Sequence, residues 1–262
     1  MATVSTHLTD IADKLKFSDD EKSKINTSID TIKKRINGYF KNDISYQVED
    51  VIIFGSYARG TIVKNSDKSD IDIMVIFKNS AEYKPQTFLT KLKEFANNSY
   101  SASEIKQSSP TIKIELNHII FELVPAYQKY LQYGLTDYYI PETKDNHFST
   151  DGWQKTDFIE FNKQIKEKCQ NSSTLYRLIL LMKSWCAKNK YIQSYSLEKF
   201  IVDTYYYNCN TLFDYLYTFT TNSSWNVKQE LESLRAQIIK AKNYKDQGYE
   251  NSAIDELKKI KF

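Results

Sequence analysis

The sequence is poor in chain breakers and in thiols. Six glycines and four prolines among 262 residues leave long stretches free to run as unbroken helix or strand. Three cysteines, Cys169, Cys186 and Cys209, stand apart without C-x-x-C spacing, which argues against a disulfide framework and against a zinc site. No apolar run reaches the length of a membrane span, and Met1 to Asp10 lacks the basic-then-apolar layout of a secretory leader. An excess of one charge is missing too. With 36 basic and 33 acidic residues the net charge is +3, too balanced by itself to argue for a long nucleic-acid footprint. No internal repeat or long low-complexity tract is visible. The expectation from these absences is a cytoplasmic, monomeric globular protein with reduced thiols and no membrane association.

What is abundant is aromatic and helix-forming: 20 Tyr and 14 Phe beside many Lys, Glu, Leu and Ile residues. Ile25, Ile29, Ile32 and Ile36 recur at helical spacing, so a long amphipathic helix is expected there, capped by Asp19 or Asp20 and ending near Lys33, Lys34 and Arg35. Val48 to Phe54 and Ile71 to Phe77 read as strands, the second apolar enough to be buried on both faces. Phe88 to Asn97 reads as a helix. Thr111 to Leu116 and Ile119 to Val124 read as a hairpin around Asn117-His118, pairing Ile112 with Leu123, Lys113 with Glu122 and Ile114 with Phe121. From Asp151 onward the pattern is helical, with helices over Thr174–Asn189, Ser194–Cys209, Val227–Tyr244 and Ser252–Ile260. Two domains are expected, 1–145 and 146–262, with an active cleft between them.

Chemistry concentrates in two short segments. Phe54-Gly55-Ser56-Tyr57 places a small turn after an apolar run; thirteen residues on, Asp70-Ile71-Asp72 opens the next one. Residues two apart on a strand share a face, so Asp70 and Asp72 project side by side. Adjacent carboxylates repel unless a cation neutralises them, and Mg²⁺ takes oxygen ligands of this kind. The hairpin register turns Glu122 and Lys113 away from its apolar face, where Lys113 would keep Glu122 ionised. Glu115, on the same face, is the alternative third carboxylate.

A mixed sheet bearing Gly55-Ser56, then Asp70-Ile71-Asp72, then a later acidic strand resembles the DNA polymerase β-like nucleotidyltransferases. Phe121-Glu122-Leu123-Val124-Pro125-Ala126 narrows the likeness to the cyclic GMP–AMP synthase/DncV-like branch, the CD-NTases of bacterial anti-phage signalling. Leu181-Met182-Lys183-Ser184-Trp185 and Ser194-Tyr195-Ser196-Leu197-Glu198 are similar to that family's K-x-W and S-Y-x-L-E segments. The resemblance implies an α+β, two-lobed fold: a mixed-sheet palm, a helical C-terminal lobe and a long N-terminal brace helix. It further implies Asp70, Asp72 and Glu122 as catalytic ligands of two Mg²⁺ ions, with Mn²⁺ able to substitute. Gly55, Ser56, Lys183 and Ser194 would hold the triphosphate, and Tyr195 would stack on a base. The family usually has Asp where this chain has Glu122, one methylene longer.

The implied activity joins nucleoside triphosphates into a cyclic di- or trinucleotide messenger and releases pyrophosphate. An RNA or protein activator and a messenger-activated effector are the implied partners. Two other readings stay open. One is a nucleotidyltransferase acting on an RNA, protein or small-molecule acceptor; the other is an inactive sensor of nucleotide or RNA.

Overall fold

The computed structural model describes residues 3–64, 69–78, 80–108, 110–142, 152–188, 195–221 and 231–262 in full, and the backbone of Asn189, Ser194, Gln229 and Glu230. The stretch 143–151, which holds the expected domain boundary, lies outside the described residues. In chain order the elements are α1 (Val4–Lys14), α2 (Asp19–Phe40), β1 (Val48–Ile53), α3 (Gly55–Arg59), β2 (Ser69–Phe77), α4 (Pro85–Ser99), β3 (Glu104–Ser108), β4 (Thr111–Glu115), β5 (Ile119–Tyr130), β6 (Thr136–Pro141) and β7 (Trp153–Thr156). Six helices follow: α5 (Phe158–Asn171), α6 (Ser173–Asn189), α7 (Ser194–Asp203), α8 (Leu212–Thr221), α9 (Gln229–Asp246) and, after a glycine turn at Gly248, α10 (Glu250–Leu257).

Two compact units result, each assembled from separate stretches of chain. A sheet unit comprises Ser18–Gly60 and Ser66–Lys163; a helical unit comprises Met1–Phe17, Thr61–Asn65 and Gln164–Phe262.

The sheet unit is built on strands in the order β1-β2-β5-β4-β3, with β6 and β7 continuing from the outer half of β5. The β2–β5 pairing is parallel and its neighbours are antiparallel, so the sheet is mixed as expected. The β4–β5 register is the one the alternation predicts: Ile112 with Leu123, Lys113 with Glu122, Ile114 with Phe121. One sheet face is covered by Ile25, Ile29, Ile32, Ile36 and Phe40 of α2 and by Phe88, Leu92 and Phe95 of α4, all buried. Phe77 links the two helices, 5.4 Å from the Phe40 ring and 4.8 Å from the Phe88 ring. The other face has a smaller cluster, Met74, Ile76, Ala126 and Phe158, with Ile52, Phe54, Tyr138 and Ile140 against it.

Three sequence expectations change here. The α2 cap is Ser18, not Asp19 or Asp20. Ser18 Oγ accepts from Glu21 N–H at 3.2 Å, and Glu21 Oε2 accepts from Ser18 N–H at 2.9 Å, which leaves the two aspartates in the first turn to favour the helix dipole. Lys33 to Arg35 lie within α2 rather than at its end, and Arg35 stacks 4.6 Å above the Tyr100 ring. Trp153–Thr156 is a strand instead of helix, because β6 offers it a pairing edge and Trp153 Nε1 donates to the Tyr83 carbonyl at 2.9 Å.

The helical unit adds α1, whose sparse stripe of Val4, Leu8 and Ala12 is fully buried against α6, α8 and α10. Arg177 fastens it with Nε and Nη2 on the two Asp13 oxygens, at 3.1 and 3.3 Å. Helix α7 stops at Asp203, short of Cys209, and α8 starts after its own cap. All three cysteines are free, and burial pushes the Cys169 and Cys186 thiols up to about 11 and about 12, far from thiolate reactivity. No described helix is long and apolar enough to cross a membrane.

The α8 cap gives a pH test. Burial alone would raise the Asp214 carboxyl. Hydrogen bonds from Thr211 Oγ1, Thr211 N–H and Asn210 N–H outweigh burial and hold it below its ordinary value. A carboxylate depressed in the folded state stabilises fully above its unfolded range and loses that contribution as pH falls through the folded value. Asp214→Asn is therefore expected to cost about 1 kcal/mol at pH 7. Thermal melts should show the gap to wild type closing as pH drops below the carboxylate range.

Candidate active site

β1 and β2 run antiparallel with Ile53 opposite Ile73, and just beyond them Phe54 N–H donates to the Asp72 carbonyl at 3.0 Å. That bond delivers the chain to Gly55 directly beside Asp72. Gly55 has φ +66°, and a Cβ there would stand 1.8 Å from Asp72 Oδ2. Glycine is required twice over, for its backbone angle and for the carboxylate against it. α3 begins at Gly55, and Phe54 supplies no side-chain cap to its first turn. Ser56 lies in that turn. The helix is held from behind by Tyr57, whose hydroxyl donates to Asn26 Oδ1 at 2.6 Å, and by the buried Arg59. Arg59 Nη1 donates to Asn162 Oδ1 at 3.2 Å, and its guanidinium lies 5.0 Å above the Phe161 ring. Arg59 carries no sequence signal of this role, since its partners lie about a hundred residues away.

The parallel pairing of β2 with β5 sets Asp72 directly across from Glu122 and Asp70 across from Ile120. Pleating points Asp70, Asp72, Glu122, Lys113 and Glu115 to one face, the face that further along carries Met74, Ile76 and Ala126. Desolvation pushes the Asp70 carboxyl above the ordinary range, and the negative charges of Glu122 and Glu115 and a hydrogen bond with Glu122 push it further, while Lys113 pulls the other way. Lys113 Nζ meets Glu122 Oε1 at 2.5 Å. Burial would lower the Lys113 ammonium, but its bond to Glu122 and the charges of Glu122, Asp70 and Asp72 raise it. Glu115 lies two pairs further along, opposite Ile120.

By donor chemistry this group fits a hard divalent cation: carboxylates crowded on one face, with Asp72 and Glu122 paired across β2 and β5. As they stand, the described residues contain no three His, Cys, Asp or Glu side chains arranged as a metal cage. Glu122 is engaged with Lys113.

The other nucleotide-binding candidates belong to the helical unit. Lys183 on α6 donates from Nζ to Glu198 Oε1 and to the Thr61 carbonyl, both at 2.8 Å. Glu198 is fully buried. Ser194 opens α7, and Tyr195 beside it is exposed. The Lys183–Glu198 pair joins two of the motif segments by a contact that their spacing does not announce.

Two outcomes follow from these contacts. Gly55→Ala is expected to lower stability by about 1–3 kcal/mol in denaturant titration, from the left-handed strain and the displaced Asp72 carboxylate. Lys183→Met leaves Glu198 a buried charge without its ammonium and is expected to cost about 3–5 kcal/mol. The double variant Lys183→Met/Glu198→Leu should recover most of that loss. Equal melts for the single and double variants would refute the buried-pair account.

Known proteins place this architecture. The chain's residues 1–169 match the model of the Second Messenger Oligonucleotide or Dinucleotide Synthetase domain. No curated protein matches the chain in sequence. Solved structures match at low identity. Vibrio cholerae DncV cyclic AMP-GMP synthase, in complex with the linear intermediate 5′ pppA(3′,5′)pG, superposes with a TM-score of 0.75 at 10% identity over 99% of this chain and 95% of its own. Escherichia coli MS115-1 CdnC with ATP gives 0.72 at 13% identity, over 98% and 96%. The Bradyrhizobium diazoefficiens CD-NTase CdnG in complex with GTP gives 0.69 at 12% identity, over 98% of each chain. With well over half of its sequence under that domain model and its fold shared with these enzymes, the chain belongs to the second messenger oligonucleotide or dinucleotide synthetase family, the CD-NTase nucleotidyltransferases.

Proposed function

We propose that this protein is a divalent-cation-dependent synthase that joins nucleoside triphosphates into a cyclic di- or trinucleotide and releases pyrophosphate. The observation that carries the reading is the Asp72–Glu122 register pair with Asp70 on the same face, beside the Gly55 turn. The family match supports it, as do the ATP, the GTP and the linear intermediate held by the structural relatives.

In this reading Asp70, Asp72 and Glu122 hold two Mg²⁺ ions, for which Mn²⁺ substitutes. When bound, the ions supply Lewis acidity to the phosphate oxygens and to the attacking ribose hydroxyl. The chain's own residues do the rest. Gly55 lets the chain turn hard against the Asp72 carboxylate, and at that turn Gly55 and Ser56 hold the phosphate, with Ser56 Oγ and the first N–H groups of α3 donating to its oxygens. Lys183 and Ser194 contribute charge and a hydroxyl to the triphosphate. The exposed Tyr195 ring stacks on a base, an interaction worth about 1–3 kcal/mol with little base preference. We further propose that the product is a cytoplasmic signal in anti-phage defence that switches on an effector protein, and that RNA or a protein partner sets the synthase's activity.

Mass analysis of products from all four triphosphates with Mg²⁺ tests the proposal, with RNA added in one arm. Phosphatase-resistant cyclic products are expected from wild type and none from Asp70→Asn. The same products from Asp70→Asn would remove the assigned carboxylates from the chemistry. Nucleotide binding without pyrophosphate release in any arm would return the chain to the sensor reading.

A further inference from the structure

Glu122 is the member of the carboxylate group with most freedom, because its carboxyl swings on one more torsion than that of Asp70 or Asp72. Holding it in one place costs rotamer entropy that some contact must offset. Lys113 is placed to supply that contact. It lies directly across from Glu122 on β4, with its ammonium 2.5 Å from Oε1, and both side chains are largely covered.

The pair cannot slide out of alignment cheaply. On the opposite face Ile112 packs across from Leu123 and Ile114 across from Phe121, all fully buried, and a one-residue slip would turn each to the wrong side. Lys106, the cross-strand neighbour of Lys113 on β3, is tied to Glu104 at 2.6 Å, so its ammonium has a partner of its own. A carboxylate offers about four lone-pair positions, so an ammonium on one oxygen leaves acceptor capacity for a second cation.

We propose that Lys113 is a positioning residue for the metal site: it holds the Glu122 carboxylate on the shared face beside Asp70 and Asp72, within a short swing of a divalent cation that the two aspartates would bind. The inference rests on the metal reading of these carboxylates given above. It opposes the alternative in which the Lys113 ammonium competes with the cation. Outer partners that orient a metal ligand typically account for about 10–100-fold in metal affinity.

The test is Mn²⁺ titration of the full-length protein, followed by electron paramagnetic resonance, with a non-hydrolysable ATP analogue present. Lys113→Met should bind Mn²⁺ about 10–100-fold more weakly than wild type. Lys113→Arg should recover most of the affinity, and Lys113→Met should cost nothing further in a Glu122→Gln background. Should Lys113→Met fail to fold, Lys113→Gln carries the same comparison. Unchanged or tighter Mn²⁺ binding without the ammonium overturns the inference while leaving the site intact. Wild type that binds no Mn²⁺, or Asp72→Asn that binds it as wild type does, removes the metal reading and the inference with it.

Discussion

Like charges brought onto one face of two neighbouring strands are the constraint around which the sheet unit is organised. Parallel pairing of β2 and β5 sets Asp72 beside Glu122 and brings Asp70 near enough for the Glu122 charge to push its carboxyl further above the ordinary range. Such crowding is costly without a positive partner, because carboxylates at close range raise one another's affinity for a proton. Lys113 is the positive partner that the fold itself supplies.

The arrangement is rigid because its other face is apolar. Ile71, Ile73, Val75, Ile112, Ile114, Phe121 and Leu123 are all fully buried, and with strand alternation they leave the charged residues one orientation. Further along the charged face, Met74, Ile76, Ala126 and Phe158 form a small apolar cluster, so the same strands carry chemistry at one end and packing at the other. Gly55 completes the local geometry, since any side chain there would occupy the space of the Asp72 carboxylate.

Local signals carried far. The β4–β5 hairpin could be read residue by residue because a two-residue connection and strict alternation admit one register. The isoleucine stripe of α2 announced that helix, although its cap was misread: Ser18 followed by Glu21 makes a reciprocal box that outcompetes the acidic residues after it. The α1 helix escaped notice because only three of its eleven residues, Val4, Leu8 and Ala12, are buried, a faint stripe whose burial comes from distant helices. The strand at Trp153–Thr156 escaped for the same reason; its pairing edge on β6 is a tertiary product.

Local order along the chain suffices to say which residues are available for chemistry: the Gly55-Ser56 turn, the two aspartates on one strand face, and Glu122 with Lys113 on a hairpin whose register follows from local periodicity. Tertiary structure alone decided that β5 lies parallel to β2, about fifty residues away in the chain, and so brought Glu122 beside Asp72. It also buried Glu198 against Lys183 and drew Thr61 into the helical unit. The physical reason is the range of the interactions. Alternation and turn length act between neighbours and are written in order along the chain, whereas strand adjacency and buried ion pairs depend on which apolar faces find one another once the whole chain has condensed.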